Sequence, residues 1–507
     1  MLRFDDKSMF GIFARRWTGG SLRSLAFASI ISDKFALKGT LAGLIAMLLP
    51  FSSASASEEL RLTPPPSFHL LRYDETYAYL SKEISPPNLW EHLKYIRIDG
   101  SSDDTPFLSL GGEVRFQYLE KWNDQFGRVP GEQDSLQQRY LLHTDFVWSP
   151  YFRIFSQLIA AWERGRKPAA LPTDDNHLDA QQLFGEVAFN PATPKNDYLR
   201  IGRQEILLGG HQLLKVREGP NVRLAFDGAR AHIARGGFDA DLFVANVVQP
   251  KPGTFDDSWT DEGVRFAGVN VGWEPHTPTF KNLRADFFIF DYRNRFVRYE
   301  QAGGAEHRQT YGLRASGRQG PWEFDYEVSL QGGTLATYDI RAWGAALFSA
   351  YRWDALRTKP KLTFGLSTVT GDRNRNDHEL NTFNCLFARG DYFGDTSLLT
   401  GSNTLDLSFL AECSPTTHLH VSFQWDRLWR NEITDGLYAP PLIYIRNGQV
   451  SNSRDIGNQF TVTAAYSVNR FVTVQVIGAD FVPGGFIKAG PTGKGTEGLT
   501  FRTQFKF

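Results

Sequence analysis

The chain has 507 residues, a formal net charge of −1, 41% hydrophobic and 14% aromatic residues, 46 Gly, and only 2 Cys and 3 Met. So few cysteines exclude a disulfide scaffold, and a mean hydropathy of −0.34 excludes a bundle of apolar membrane helices. A soluble enzyme or a large all-β protein remains, and either must account for the aromatic surplus.

Residues 1–56 read as a secretory signal peptide. Arg3, Lys7, Arg15, Arg16, Arg23, Lys34 and Lys38 precede an apolar run over 41–51, and Ala54 and Ala56 have small-x-small cleavage spacing. The run is shorter than the about 20 residues of a spanning helix. Cleavage after Ala56 removes seven basic and three acidic groups and leaves 451 residues with net charge −5. A mildly acidic chain does not point to nucleic acid. Residues 57–105 hold Pro64-Pro65-Pro66 and Pro86-Pro87 and read as an extended periplasmic lead-in, or as a plug entering from below. Within them, Asn88 to Ile96 is a short helical candidate with Trp90, Leu93 and Ile96 on one side.

From 106 to 507 the dominant period is two. Trp322, Phe324, Tyr326, Val328 and Leu330 alternate with Glu323, Asp325, Glu327, Ser329 and Gln331. Tyr140, Leu142, Thr144, Phe146 and Trp148 alternate with residues including His143 and Asp145, and Leu405, Leu407, Phe409 and Ala411 alternate with Asp406 and Ser408. Eighteen such segments fall at about 106–119, 137–148, 151–164, 178–189, 198–207, 222–234, 238–248, 263–273, 282–292, 307–317, 321–331, 338–352, 359–370, 403–413, 417–430, 456–468, 471–482 and 497–507. Short connections (149–150, 190–197, 235–237, 317–320, 414–417, 469–470) alternate with long ones (121–136, 251–262, 371–402, 431–455). A sandwich in water has no reason to keep that order. A transmembrane antiparallel β-barrel of the bacterial outer membrane does, with short periplasmic turns and long extracellular loops.

The last strand agrees. Leu499, Phe501, Phe505 and Phe507 share a face, and an aromatic final residue resembles the C-terminal signal read by the outer-membrane barrel assembly machinery. Tyr118, Trp122, Trp148, Tyr151, Trp162, Trp273, Trp322 and Trp429 sit at strand ends, where interfacial girdles are expected, so most aromatics should contact lipid outside the barrel. Eighteen strands leave an aqueous interior. Cys385 falls in an external loop and Cys413 at a periplasmic strand end, too far apart for a disulfide unless the long loop plunges through the lumen.

No Gly-x-Ser-x-Gly, His-Glu-x-x-His or phosphate-cradling loop is present. His418 and His420 beside Ser422 are the visible start of a nucleophile–base pair, and they read as lumenal polar side chains. Asp174-Asp175 and Asp256-Asp257 lack the twelve-residue calcium-loop pattern and read as solvated loop charge. No catalytic residue, metal or cofactor is expected. By parity Arg115, Arg139, Arg153, Arg200, Arg223, Arg265, Arg284 and Arg341 face the lumen, with Glu113, Asp145, Asp227, Asp286, Asp325 and Glu327. A ring of arginines favours anions. Alternatively, these arginines pair with the acids and stiffen the wall.

Two stretches are denser in motif than parity explains. One runs Leu199-Arg200-Ile201-Gly202-Arg203-Gln204-Glu205, Arg217-Glu218-Gly219-Pro220-Asn221-Val222-Arg223 and Phe226-Asp227-Gly228-Ala229-Arg230. The other holds Gly371-Asp372, Asn381-Thr382-Phe383-Asn384 and Phe387-Ala388-Arg389-Gly390-Asp391-Tyr392-Phe393-Gly394. With Tyr73-Asp74-Glu75, the segment from Trp90 to Ile96 and Gly111-Gly112-Glu113-Val114-Arg115, the sequence resembles the alginate export family of outer-membrane barrels. The resemblance implies an electropositive constriction passing an anionic polysaccharide of uronic acids, with Arg203 as a pore residue. Gln181-Gln182 stand where the alginate exporter proper has a pore-wall arginine. The expected function is passive diffusion of an anionic solute past Arg203, Arg200, Arg223, Arg230, Arg115 and Arg139, with Glu205, Asp227 and Glu113 as supporting acids. A general or small-organic-anion porin is the alternative, and a barrel enzyme is the rival of another class.

Overall fold

The computed structural model describes residues 68–82, 89–98, 106–167, 169–208, 212–258, 263–387, 399, 401–440 and 442–507. The expected signal peptide lies outside them, as do 57–67, 83–88 and 99–105 of the lead-in. Eighteen antiparallel strands close into a barrel: β1 Phe107–Trp122, β2 Glu132–Ser149, β3 Phe152–Arg164, β4 Asn176–Ala188, β5 Asp197–Gln204, β6 Phe226–Arg235, β7 Phe238–Val247, β8 Val264–Trp273, β9 Lys281–Arg298, β10 Gly303–Gln319, β11 Trp322–Leu335, β12 Tyr338–Arg352, β13 Lys361–Val369, β14 Thr404–Cys413, β15 Leu419–Arg430, β16 Asp455–Ser467, β17 Val472–Pro483 and β18 Thr496–Lys506. The seam is β1 on β18, from Glu113 opposite Lys506 to Trp122 opposite Glu497. No helix among the described residues is long and apolar enough to cross a membrane, so the crossing is made by strands. Closure leaves every strand with two neighbours, which lipid demands of a sheet.

Alternation decides which face each side chain takes. Leu242, Val244 and Leu313 are about 60% exposed toward lipid, while Asp241, Phe243 and Gly312 between them face the lumen. Trp148, Tyr151, Trp273 and Trp322 are exposed at the end of the barrel that carries the short turns, forming one aromatic girdle.

Four readings are revised. First, the outer connections are not uniformly long: 299–302 and 336–337 are tight. There β9 and β10 lengthen to 18 and 17 residues, so paired strand replaces loop. Second, Arg265 and Arg341 face outward, in step with Val269 and Val271 and with Trp343 and Leu347. Asp227 is also out of step with the lumenal Phe226 and Arg230. Third, a block of aromatics faces inward. Phe226, Phe243, Phe266, Phe288 and Phe290 form a buried cluster on the lumenal wall of β6–β9, covered by Leu208, Leu213 and Leu214 and by Phe383 and Phe387. Strand β9 is therefore apolar on both faces over 287–290. Fourth, residues 205–207 and 222–225 belong to no strand. Strand β5 ends at Gln204, and the chain turns into the lumen until β6 begins.

That inward turn opens a notch. Strand β4 pairs with β5 only from Leu183 to Ala188, so its outer half, 176–182, has no strand neighbour on that side. Residues 253–255 lie there instead. Leu178 bridges Thr254 in parallel, and the Phe255 amide donates to the Leu178 carbonyl at 2.8 Å.

Candidate functional site

Two loops from the outer side and the N-terminal segment meet inside the barrel. The first loop, 205–225, carries the Arg-Glu-Gly-Pro-Asn motif down onto β1 and β2. Arg115 of β1 donates to the Glu218 carbonyl at 2.7 Å, the Pro220 carbonyl at 3.0 Å and Asn221 Oδ1 at 3.1 Å. The Asn221 amide nitrogen donates to the Gln138 carbonyl at 2.8 Å, and its backbone N–H to Asp174 Oδ1 at 2.8 Å. Proline removes one backbone donor from this turn, and the arginine takes the carbonyls that remain.

The Glu218 carboxylate is the hub. Arg139 Nη2 lies 2.8 Å from it and Arg115 Nη1 3.9 Å, and Arg223 forms a direct ion pair with it. Burial opposes its charge, but Arg223, Arg139 and Arg115 outweigh burial and hold its pKa well below the usual carboxylate range. Arg139 also grips Glu113 at 2.9 Å through Nε, and Arg223 reaches Glu113 and Glu205 at 3.5 Å. Burial pushes the Glu205 carboxyl up to about 7, against the pull of Arg223. Arg115, Arg139, Arg223, Glu113 and Glu205 are thus brought together. Glu218, the most exposed member of the cluster, is the residue that sequence reasoning passed over. Its signal was present, as an acid flanked by Arg217 and Arg223 in a Gly-Pro turn.

The other arginines stand apart. Arg200 holds Glu186 at 2.6 Å and stacks over Tyr73 at 4.0 Å. Arg230 holds Asp241 at 2.8 Å. Arg203 is not beside them. It follows Ile201 in outward parity, and its guanidinium fills the notch, bonding Asp227 at 2.8 Å, Asp179 at 3.3 Å and the carbonyls of Ala180 and Ser258 at 3.1 and 2.6 Å. Gln181 and Gln182 tether the root of the inward loop: Gln181 donates to Glu205 at 2.9 Å, and Gln182 accepts from the Glu205 amide at 3.1 Å.

The second loop enters from β13. Phe387 bridges Leu214, so the two loops pair inside the lumen, and Asn384 exchanges hydrogen bonds of 2.8 and 2.9 Å with Gln331 of β11. Above them, Arg430 binds the carbonyls of Ile433, Gly448 and Ser453 and organises 431–454 into a folded cap. Cys385 and Cys413 are both free.

Residues 68–82 and 89–98 lie at the periplasmic end. The helical candidate is one turn, Leu89–His92, and Ile96–Arg97 pairs with the start of β1. Arg72 donates to the carbonyls of Gly112 and Phe507 at 3.1 and 2.8 Å, across the seam. Trp90 packs on Phe507 at 4.7 Å. Tyr73 rises between Phe155 and Phe184, and its hydroxyl donates to the Glu205 carbonyl at 2.8 Å. The lower segment and the inward loop therefore touch.

Other candidates disperse. His418 Nδ1 contacts the Ser467 carbonyl at 2.9 Å, and His420 Nδ1 lies 3.4 Å from Ser414 Oγ. No hydrogen bond joins either imidazole to Ser422. Asp174 and Asp257 are buried, not solvated, because each carboxylate accepts a backbone N–H from a neighbouring segment.

The comparisons agree with this architecture. A model described as alginate export matches residues 107–498. No curated protein matches the chain. Among solved structures, Pseudomonas aeruginosa OccK2 (OpdF) in complex with glucuronate is similar at TM-score 0.52 and 10% identity, covering 82% of this chain and 98% of that one. A BenF-like porin from Pseudomonas fluorescens Pf-5 is similar at TM-score 0.53 and 8% identity, covering 79% and 98%. Pseudomonas aeruginosa OccK11 (OpdR) is similar at 0.51 and 11%, covering 79% and 96%. A family match over most of the length, on a closed eighteen-stranded outer-membrane barrel, means that the chain belongs to the alginate export family.

Proposed function

We propose that this barrel lets hydrophilic anions diffuse passively across the outer membrane, with uronic-acid polysaccharide of the alginate type as its solute. The observation that carries this reading is the set of three guanidiniums, Arg115, Arg139 and Arg223, gathered on one loop carboxylate, Glu218. A planar guanidinium recognises any carboxylate in the same fork. A uronate carboxylate entering the lumen meets the same donors and competes with Glu218 for them. Displacement frees the 217–223 turn and widens the passage. Arg200 and Arg230 lie farther along the wall, each already paired, and Arg203 holds the wall itself.

Planar-bilayer recording tests this. Substituting Arg139→Ala and Arg223→Ala together is expected to reduce anion preference and to weaken block by oligouronate. Unchanged selectivity in that double variant would falsify the assignment. A small-organic-anion porin would instead be blocked equally by a single uronate and by the oligomer.

The chain acts as a channel. Its apolar belt contacts lipid, and the strand ending at Phe507 is the segment offered to the barrel assembly machinery. Residues 1–56 are its export signal.

A further inference from the structure

The notch beside β4 holds a second constellation that the channel reading does not use. We propose that Asp179, Asp256 and Asp257, with the side-chain oxygen of Asn176, bind a divalent cation of the calcium class that pins the 251–258 segment over the notch.

One oxygen from each of the three carboxylates lies within 4.8 Å of the others. Asn176 gives independent support. It is fully buried, its amide nitrogen donates to Asp257 at 2.9 Å, and its amide oxygen, on the same planar group, has no hydrogen-bond partner. A buried oxygen without a partner is unfavourable, and a cation would recover that loss. Arg203 touches Asp179 but also serves Asp227, so the cluster remains acid-rich. Carboxylate and amide oxygens are hard ligands of the kind calcium takes, and water fills its remaining positions.

The site has a mechanical task. The Lys251 N–H donates to Asp257 at 2.6 Å and the Asp257 N–H to Asp179 at 2.9 Å, so these acids already stitch the segment to β4. A cation shared between Asp179 on the strand and Asp256 and Asp257 on the segment would lock that stitch.

The test is calorimetric titration of calcium alone into chelator-treated full-length protein in detergent, with limited proteolysis alongside. One saturable site per chain is expected, weakened about tenfold or more by Asp256→Asn and by Asp257→Asn, with calcium slowing cleavage within 251–258. Asp256 is exposed, so Asp256→Asn folds even where Asp257→Asn does not. Absence of a saturable site in the unmodified chain, or unchanged affinity in Asp256→Asn, overturns the proposal. Neither result bears on anion conduction, which is measured separately.

Discussion

At the scale of single residues, Glu218 is the most consequential side chain in the lumen. Glu218→Ala leaves Arg115, Arg139 and Arg223 with mutual repulsion and one acceptor fewer. Removing one partner of a buried ion pair costs about 3–5 kcal/mol, and the partial exposure of Glu218 reduces that to about 1–3 kcal/mol. The expected outcome is a lower unfolding temperature together with a higher single-channel conductance. Glu205 supplies a pH dependence. Its carboxyl is raised by burial from the ordinary 4.5 to about 7 in the folded protein. Its contribution to stability is therefore fully present below about pH 4.5 and is lost as pH rises through about 7. Thermal melts at pH 5 and pH 8 are expected to differ less in Glu205→Gln than in the unmodified chain. Of these residues, Arg115, Arg139, Arg223, Glu113 and Glu205 could be picked from the sequence, because a two-residue period and a dense motif flag them. Glu218 could not be ranked, since its value depends on where its loop lands. Asp227 and Arg203 follow the outward parity of Ile201 and Ala229, and only the missing strand neighbour of β4 explains why they are covered all the same.

At the scale of elements, the barrel strands were readable because lipid on one side and water on the other force alternation. The departures occur where that rule lapses. Strand β9 carries Phe288 and Phe290 inward because folded loops, not water, cover that part of the lumen. The pairing of the β9–β10 hairpin beyond the membrane follows from backbone hydrogen bonding, which leaves no hydropathy mark. Loop conformation was also hidden, because it depends on contacts distant in sequence, such as Asn384 on Gln331. The lower segment contacts the inward loop through the Tyr73 hydroxyl. Tyr73→Phe removes one hydrogen bond, worth about 1 kcal/mol, and keeps the ring packing. Conductance is expected to rise slightly in that variant and substantially on deletion of 68–82, as read in the same bilayer assay. Equal conductance of the deletion and the intact chain would remove the segment from the conduction path.

At the scale of the molecule, the two surfaces of the wall predict opposite sensitivities. Val244→Arg places a charge on the exposed lipid face of β7, at a cost of about 2–4 kcal/mol if the site is near the bilayer midplane. Insertion into lipid vesicles, followed by heat-modifiable migration, is expected to fail or slow. Gln331→Arg, on the lumenal face of β11, should insert normally and alter selectivity instead.

The Phe226, Phe266 and Phe387 contacts give the passage a restoring force. Withdrawing the paired loops to admit a polymer wets this aromatic wall, and each side chain re-exposed costs about 1.5–3 kcal/mol. Any opening that parts Phe387 from Phe226 and Phe266 works against that cost, as against a spring. Replacing Phe387 with Ser should slacken that spring and lengthen the open dwell times in single-channel records.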